Sequence, residues 1–476
     1  MGFPTIGRMM RGFAASVVLA TAPVVMPLAA SAETLADALA DAYRHSGLLE
    51  QNRALLRVAD EDVAVAMAGL RPIINWAADV THDFGTARTT ATGGVTRGSV
   101  GNDATVGIAM ELMLWDAGRT SMSVEAKKEV VLATREALRG VEQRVLLTAV
   151  QAYMNVRAAS ETLALRQNNV RVITEELRAA KDRFEVGEVT RADVALAEAR
   201  LAGARSALAQ AQGELAISVE DFRFSTGRKP GALTPPPALG MPAAGLDAAK
   251  VLAMRRHPDM IRAGHEITAA ELGLRAAKTS SLPTVNLTGR YGLTDDLNSN
   301  FFTRGGSVGL EASGPIYQGG RLSALERQAQ ARSDAARGNL HNVRHSIAQG
   351  VGSAWARVEV ARAARTASEE QIRAARVAFR GVREEATLGA RTTLDVLNAE
   401  QELLDAQANQ IQASSNEVVA RYGLLAATGQ LTAEDLKLRV QQYDPAAYYN
   451  MVKSAPVKSS KQGKQLDKVL KSLTKE

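Results

Sequence analysis

Two periodicities divide this chain. After Pro72, Ile74, Trp76, Ala78 and Val80 alternate with Asn75, Asp79 and Thr81, and farther on Val106, Ile108, Met110, Leu112 and Leu114 are set against Gly107, Ala109 and Glu111. A period of two predicts strands with one apolar and one polar face. The rhythm returns as Val285, Leu287, Tyr291 and Leu293 against Thr284, Asn286, Thr288 and Arg290, then as Val308, Leu310, Ala312 and Ile316 against Ser307, Gly309, Glu311 and Ser313. Four strands are expected, at about 73–84, 105–115, 284–294 and 306–317.

Elsewhere the period is helical. Val194, Ala197, Leu201, Ala204, Leu208, Ala211 and Leu215 keep a 3-4 spacing, and Val170, Ile173, Leu177, Ala180 and Phe184 answer it on the preceding segment, as in the seam of a left-handed coiled coil. Leu397, Leu404, Ile411 and Val418 recur every seventh residue. No proline falls between Gly118 and Val186, so that run can form a rod of roughly 100 Å at 1.5 Å per residue.

The chain is built twice. GEVTRADVALAEARLAGA at 187–204 returns as GARTTLDVLNAEQELLDA at 389–406, and the offset of 202 residues (389 − 187) holds from LWDAGR against IYQGGR to Thr226-Gly227 against Thr428-Gly429. Each copy opens with a helical stretch, ending in Arg-His at His45 and His257. A first repeat is expected at 33–227 with its hairpin at 118–226, a Pro/Gly-rich connector at 228–245, and a second repeat at 246–429 with its hairpin at 319–428. Gly187 and Gly389 suit left-handed helix ends. Thr190 and Thr392 can cap the returning helices, with Asp193 and Asp395 completing capping boxes. Capping alone is sufficient reason for those Gly, Thr and Asp residues.

The strand pairs pose a closure problem. Their alternation fits a membrane barrel, and equally a half-buried soluble sheet, but the connecting segments are polar and rich in Gly, Ser and Thr. Four strands cannot close a barrel, and an open edge in lipid leaves backbone groups unpaired. Several copies must share one wall; three would give about twelve strands. Glu111, Glu311 and Arg290 then face the lumen.

Composition narrows the class. Arg8 and Arg11 precede an apolar run ending in Ala30-Ser31-Ala32, which predicts a secretory signal over residues 1–32. No later stretch has the ~20 apolar residues of a membrane helix. With no Cys there is no disulfide, thiolate metal site or acylated N-terminal Cys. Residues 430–476 are expected to form a C-terminal segment ending in a flexible, solvated Lys-rich tail, preferred over one that contacts nucleic acid or lipid; no nucleic-acid partner is expected.

With its paired DAGR and QGGR segments and twice-occurring VG-x-x-x-x-x-D-V and LG-x-x-T-x-x-D-V turns, the chain resembles the TolC family of outer-membrane channel-tunnels from about Glu33 to Leu436. The resemblance implies a mainly α fold with a membrane β-barrel: a homotrimer in the outer membrane of a Gram-negative bacterium, with a twelve-stranded barrel and a coiled-coil tunnel in the periplasm. It implies a periplasmic adaptor, an inner-membrane ABC or proton-driven transporter and outer-membrane lipid as partners, a secreted-protein or drug cargo, and no cofactor. Matched motif to motif, Arg391 is the gate arginine, Asp193 the aspartate it pairs with, and Asp395 the first acidic ring. Asn398 stands at the second ring position, Ala386 where the family has a gate tyrosine, and Ala192 where it has a threonine, so a lock with fewer bonds is expected. Three Asp395 carboxylates on one axis would raise one another's pKa.

Two other classes compete: a periplasmic adaptor with helical hairpins, which would carry one hairpin and lipoyl-like β domains, and a trimeric coiled-coil surface protein, which would not need tandem strand pairs. An enzyme is not expected. Of six histidines only His341 and His345 share a helix face, without the Glu of an H-E-x-x-H site. The glycines at 93–101 and 305–309 precede strands rather than helices, which gives no context for binding phosphate.

Overall fold

The computed structural model describes residues 33–473 apart from positions 89 and 238; the expected signal segment lies outside them. In chain order the first repeat comprises α1 (Leu35–His45), α2 (Gly47–Ala68), β1 (Ile73–Ala87), β2 (Arg97–Trp115), α3 (Arg119–Glu185) and α4 (Arg191–Thr226). The second follows with α5 (Leu246–Arg256), α6 (Pro258–Lys278), β3 (Thr284–Asp296), β4 (Phe302–Ser313), α7 (Arg321–Thr387) and α8 (Thr393–Ala427). Helices α9 (Pro445–Val452) and α10 (Lys461–Leu473) end the chain.

The opening helix of each repeat is two helices, broken beside its Arg-His. Ser46 caps α2 by accepting from Leu49 N at 3.2 Å, and Pro258 starts α6 where a missing N–H costs nothing. The same place in each repeat is held from the far end of the chain segment: a Cβ on Gly227 would come within 2.6 Å of the His45 ring, and one on Gly429 within 2.8 Å of the Arg256 carbonyl. The Thr-Gly and Arg-His pairs that recur in the sequence are therefore two halves of one packing contact, made twice.

Helices α3 and α7 both run 67 residues, about 100 Å at the helical rise. Helices α2 and α4 pack along the two ends of α3, and α6 and α8 along those of α7. Both α6 and α8 also touch α3, which joins the repeats. The main core gathers α1, α2, the N-terminal half of α3, the C-terminal end of α4 and residues 431–438, with Tyr153, Phe222, Leu39, Leu56 and Leu146 fully buried. Tyr153 ties the connector to the chain start, its hydroxyl donating to the carbonyls of Glu33 (2.9 Å) and Thr234 (2.6 Å).

The strands form one antiparallel sheet in the order β1-β2-β3-β4, so the repeats meet at β2 and β3. Register sorts the faces. Glu111 lies opposite Thr288, Asn286 opposite Glu311 and Arg290 opposite Ser307, while Trp76 faces Ile108, Tyr291 faces Ile108 from the other side, and Leu287 faces both Leu112 and Leu310.

Several expectations are corrected. Strand β2 begins at Arg97 rather than near 105, and β4 spans Phe302–Ser313 rather than 306–317, leaving Ile316 beyond it and fully exposed. Most of the glycines expected ahead of strands lie inside them, Gly98 and Gly101 in β2 and Gly305, Gly306 and Gly309 in β4. Elsewhere in the sheet Gly107 and Gly292 face each other where an added Cβ would meet the opposite backbone at 3.1 Å, so absent side chains allow the strands' close approach there. The register shifts between Met113 and Trp115, so a bulge takes Leu114 out of the apolar row and Trp115 pairs with Val285 instead. The Lys-rich tail is helical and docked, not a solvated coil. Its apolar residues supply the reason: Tyr448, Val452 and Leu466 form a small core of their own.

Candidate channel gate and barrel wall

The hairpin tips are built by local chemistry. At the end of α3 the chain turns through Gly187 with φ 81°, Gly187 N donating to Phe184 O (3.0 Å) and Glu188 N to Arg183 O (2.9 Å). The second tip repeats this at Gly389, φ 79°, with bonds to Ala386 O (3.1 Å) and from Ala390 N to Glu385 O (2.9 Å). Both are Schellman ends, in which a glycine tolerates the left-handed conformation. The returning helices start with complete capping boxes. Asp193 Oδ2 accepts from the Thr190 amide (2.9 Å) and hydroxyl (2.7 Å), and Asp395 Oδ2 from the Thr392 amide (3.0 Å) and hydroxyl (2.9 Å). These bonds to Thr190 and Thr392 hold both carboxyls below the ordinary aspartate range.

Arg391 and Asp193 are not brought together within the protomer. Arg391 Nε donates to Glu385 Oε2 at 2.8 Å across its own turn, while Asp193 is occupied by Thr190. Within one copy Arg391 pairs with Glu385 instead, six residues away on a turn that reverses the chain. Asn398 does not stand alone at a ring position either: its Oδ1 accepts from Arg200 Nη2 at 3.0 Å, bridging α4 and α8.

Above the tips the two hairpins share a seam that the sequence did not single out. Glu400 on α8 is only 7% exposed and accepts from Asn169 Nδ2 on α3 at 3.0 Å, while its second oxygen has no partner. Burial pushes its carboxyl up to about 7; Asn169 and the Arg383 cation pull the other way, and Glu176 adds to the rise. Farther along, Ser415 Oγ donates to Met154 O on α3 at 3.5 Å, whereas Glu417 on α8 reaches Arg365 on α7. Helix α8 therefore buries two faces. The signal was present: Leu397, Leu404, Ile411 and Val418 form a stripe distinct from the Ala406–Ala413–Glu417 one, and Glu400 falls on it at helical spacing.

On the sheet, Glu111, Glu311 and Arg290 share the polar face. Glu111 Oε1 accepts from Asn286 Nδ2 at 3.0 Å. Trp76 (77% exposed), Val80, Phe84, Val308 and Leu310 stand exposed on the other. A row of exposed large apolar groups that wide marks a surface meant for an apolar partner. The chain's described helices include none long and apolar enough to cross a membrane.

A two-faced sheet mounted on two tandem helical hairpins defines a class, that of the membrane-channel protomer. The outer membrane efflux protein family matches residues 38–228 and 251–430, most of each repeat. Outer membrane efflux protein BepC of Brucella suis biovar 1 (strain 1330) is 37% identical over 451 residues, 94% of this chain and 97% of that protein. Outer membrane protein TolC of Escherichia coli (strain K12) is 27% identical over 314 residues, covering 62% of this chain and 63% of its own length. Among solved structures, the Campylobacter jejuni CmeC outer membrane channel shares the fold, with a TM-score of 0.74 at 17% identity over 88% of this chain and 89% of that one. This chain belongs to the outer membrane efflux protein family. It is an outer-membrane export channel protein and not an enzyme.

Proposed function

We propose that three copies of this chain close one twelve-stranded barrel in the outer membrane and one helical tunnel in the periplasm. The observation that carries this reading is the sheet itself: β1 and β4 are edge strands, each hydrogen-bonded on one side only, beside a face of exposed Trp, Phe, Val and Leu. In lipid such edges must be paired, and β4 of one copy against β1 of the next does so. The polar face with Glu111, Arg290 and Glu311 then lines the bore. The trimer is the exit duct of a tripartite export machine, opened at its periplasmic tip by an adaptor and driven by an inner-membrane ABC or proton-driven transporter. Val186 and Leu388, 71% and 85% exposed at equivalent positions of the two tips, give the adaptor an apolar foothold. The cargo is small toxic compounds, in keeping with the word efflux in the BepC name, with secreted protein as the other cargo that a bore of this kind passes.

At the tip, Arg391, Asp193, Asp395 and Asn398 form the closed gate, Arg391 exchanging Glu385 for Asp193 of the neighbouring copy and three Asp395 carboxylates ringing the axis. Outer-membrane fractionation, an SDS-resistant trimer that dissociates on heating, and single-channel conductance in a planar bilayer test the duct together. A water-soluble monomer without conductance overturns it.

A further inference from the structure

The C-terminal segment climbs α2 toward the sheet. Tyr443 is stacked on the Arg53 guanidinium (5.3 Å), the Tyr448 hydroxyl donates to Glu61 Oε1 (2.7 Å), and Arg71 donates to the carbonyls of Ser454 (2.5 Å) and Ala455 (2.9 Å). Those partners advance along α2 and past its end as the tail advances, from 53 to 61 to 71, and β1 begins at Ile73. Residues 454–455 are thus fixed at the foot of the sheet. The chain then turns back, and α10 packs Leu466 and Leu470 against Tyr448 and Val452 of α9.

This arrangement fixes where the charge points. Lys461, Lys464, Lys468 and Lys471 lie within one helical stripe opposite Leu466 and Leu470, and all four are exposed, as are Lys453 and Lys458 in the turn at the sheet foot. No acidic side chain among the described residues pairs with Lys458, Lys461, Lys464 or Lys468. Asp467 is the lone carboxylate among them from 453 to 473. Val457, 65% exposed, sits in the same turn.

We propose that this docked basic tail binds the anionic phospholipid headgroups of the periplasmic leaflet of the outer membrane, forming a collar around the foot of the barrel. The proposal rests on the reading that β1–β4 cross that membrane. An amphipathic element whose apolar stripe is already spent on α9 keeps its lysine stripe for a surface, and a cluster of this size next to a membrane-spanning element recognises anionic lipid. The attraction acts within a Debye length, about 8 Å at physiological salt, so the turn residues Lys453, Lys458 and Lys461 matter most.

The chain has no cysteine, so Ser459→Cys gives a single labelling site for an environment-sensitive fluorophore. The full-length labelled protein is reconstituted into phosphatidylcholine vesicles with and without phosphatidylglycerol. Phosphatidylglycerol is expected to blue-shift the probe, high salt to reverse the shift, and the triple variant Lys458→Glu, Lys461→Glu, Lys464→Glu to lower the docked fraction at least about tenfold. Equal spectra in both vesicles, or a shift that salt and charge reversal leave untouched, overturn the proposal. So does retention of the labelled tail by isolated peptidoglycan with no dependence on lipid. Planar-bilayer conductance of the same variants separates the two readings: a conducting channel with no lipid response refutes the collar alone, and a chain that does not conduct refutes the barrel.

Discussion

Helices α4 and α8 are copies of one sequence in two settings. Each follows a Schellman turn, each opens with a Thr-Asp capping box, and each packs one stripe against the long helix of its own hairpin: Ala197, Leu201, Ala204 and Ala211 in α4, Ala406 and Ala413 in α8. The second face divides them. Leu397, Glu400, Leu404 and Ser415 of α8 are buried, while Ala195, Glu198, Ala202 and Gly213, their counterparts 202 residues earlier, are exposed. Within one chain α8 has α3 beside it, and α4 has no such neighbour. A duplication that alternates around a closed tunnel supplies the missing one: α4 would lie against α7 of the next copy, where Val360 and Val377 are 69% and 63% exposed. The exposed face of α4 carries the small residues Ala195, Ala202 and Gly213, where backbones can approach closely, and the buried face of α8 carries Leu397 and Leu404 in their place.

That contrast can be broken at one position in each repeat. Leu404→Ala, at a site 5% exposed, is expected to destabilise the folded protomer by about 3 kcal/mol, read as a lowered denaturation midpoint. Ala202→Leu should leave the protomer's midpoint alone and lower the temperature at which the trimer dissociates in SDS, because the added bulk meets a different chain. If Ala202→Leu instead shifts protomer unfolding, the assignment of the α4 face to a neighbouring copy fails.

The buried carboxylate sharpens the same comparison by pH. Glu198, the counterpart of Glu400, is exposed and paired with Lys181 at 2.8 Å. Glu400 has a folded-state pKa of about 7 against an ordinary 4.5. Below the ordinary value both folded and unfolded chains hold the proton, so no charge is buried and the seam is at its firmest. As pH rises from about 4.5 to 7 the unfolded chain gives up its proton first and stability falls; above about 7 the loss is complete. Glu400→Gln should remove this slope and stabilise the seam near neutral pH by about 2 kcal/mol, allowing for solvent at the seam. Melting curves at about pH 4 and about pH 8, on either side of that window, check it: a wild-type seam equally stable at both contradicts the buried, partnerless oxygen.

The two caps should respond alike. Thr190→Ala and Thr392→Ala each remove bonds that both boxes make with the same geometry, at a cost of about 1 kcal/mol of local helix stability. Hydrogen exchange at the first turns of α4 and α8 reads it. Equal loss is expected; a much larger loss at Thr392 would mean that the second tip bears load from the α3 seam as well.

Much of this was legible in the sequence because its signals are local. A Gly-x-x-Thr-x-x-Asp turn specifies its own bonds, and alternation in β1 or β3 follows from a sheet with two different solvents. What was not legible depends on a second segment. The Leu114 bulge is set by pairing with β3, and although Glu400 sits on the Leu397–Leu404 stripe, its partner Asn169 lies on another helix and is known only once α3 is placed beside α8. The tail misled because lysines dominate its composition, although Tyr448, Val452 and Leu466 were enough to dock it. The gate pair was read from a resemblance between assemblies, and a protomer satisfies Arg391 and Asp193 separately.

Arg391 gives the smallest effect on stability and the most specific test of the gate. Its bond to Glu385 joins two side chains about half exposed, an arrangement that solvent screens and that contributes little to stability. Arg391→Ala should therefore leave the melting temperature and trimer content unchanged. If Arg391 exchanges Glu385 for a neighbour's Asp193 when the tunnel closes, the same variant loses a bond across the copy boundary, and single-channel conductance and antibiotic uptake should both rise. Glu385→Gln distinguishes the two partners: freeing Arg391 from its own turn favours the neighbour's carboxylate and should tighten the closed state. Leakage from Glu385→Gln equal to that from Arg391→Ala would place the lock inside each hairpin, and the difference between the repeats would then end above the tips.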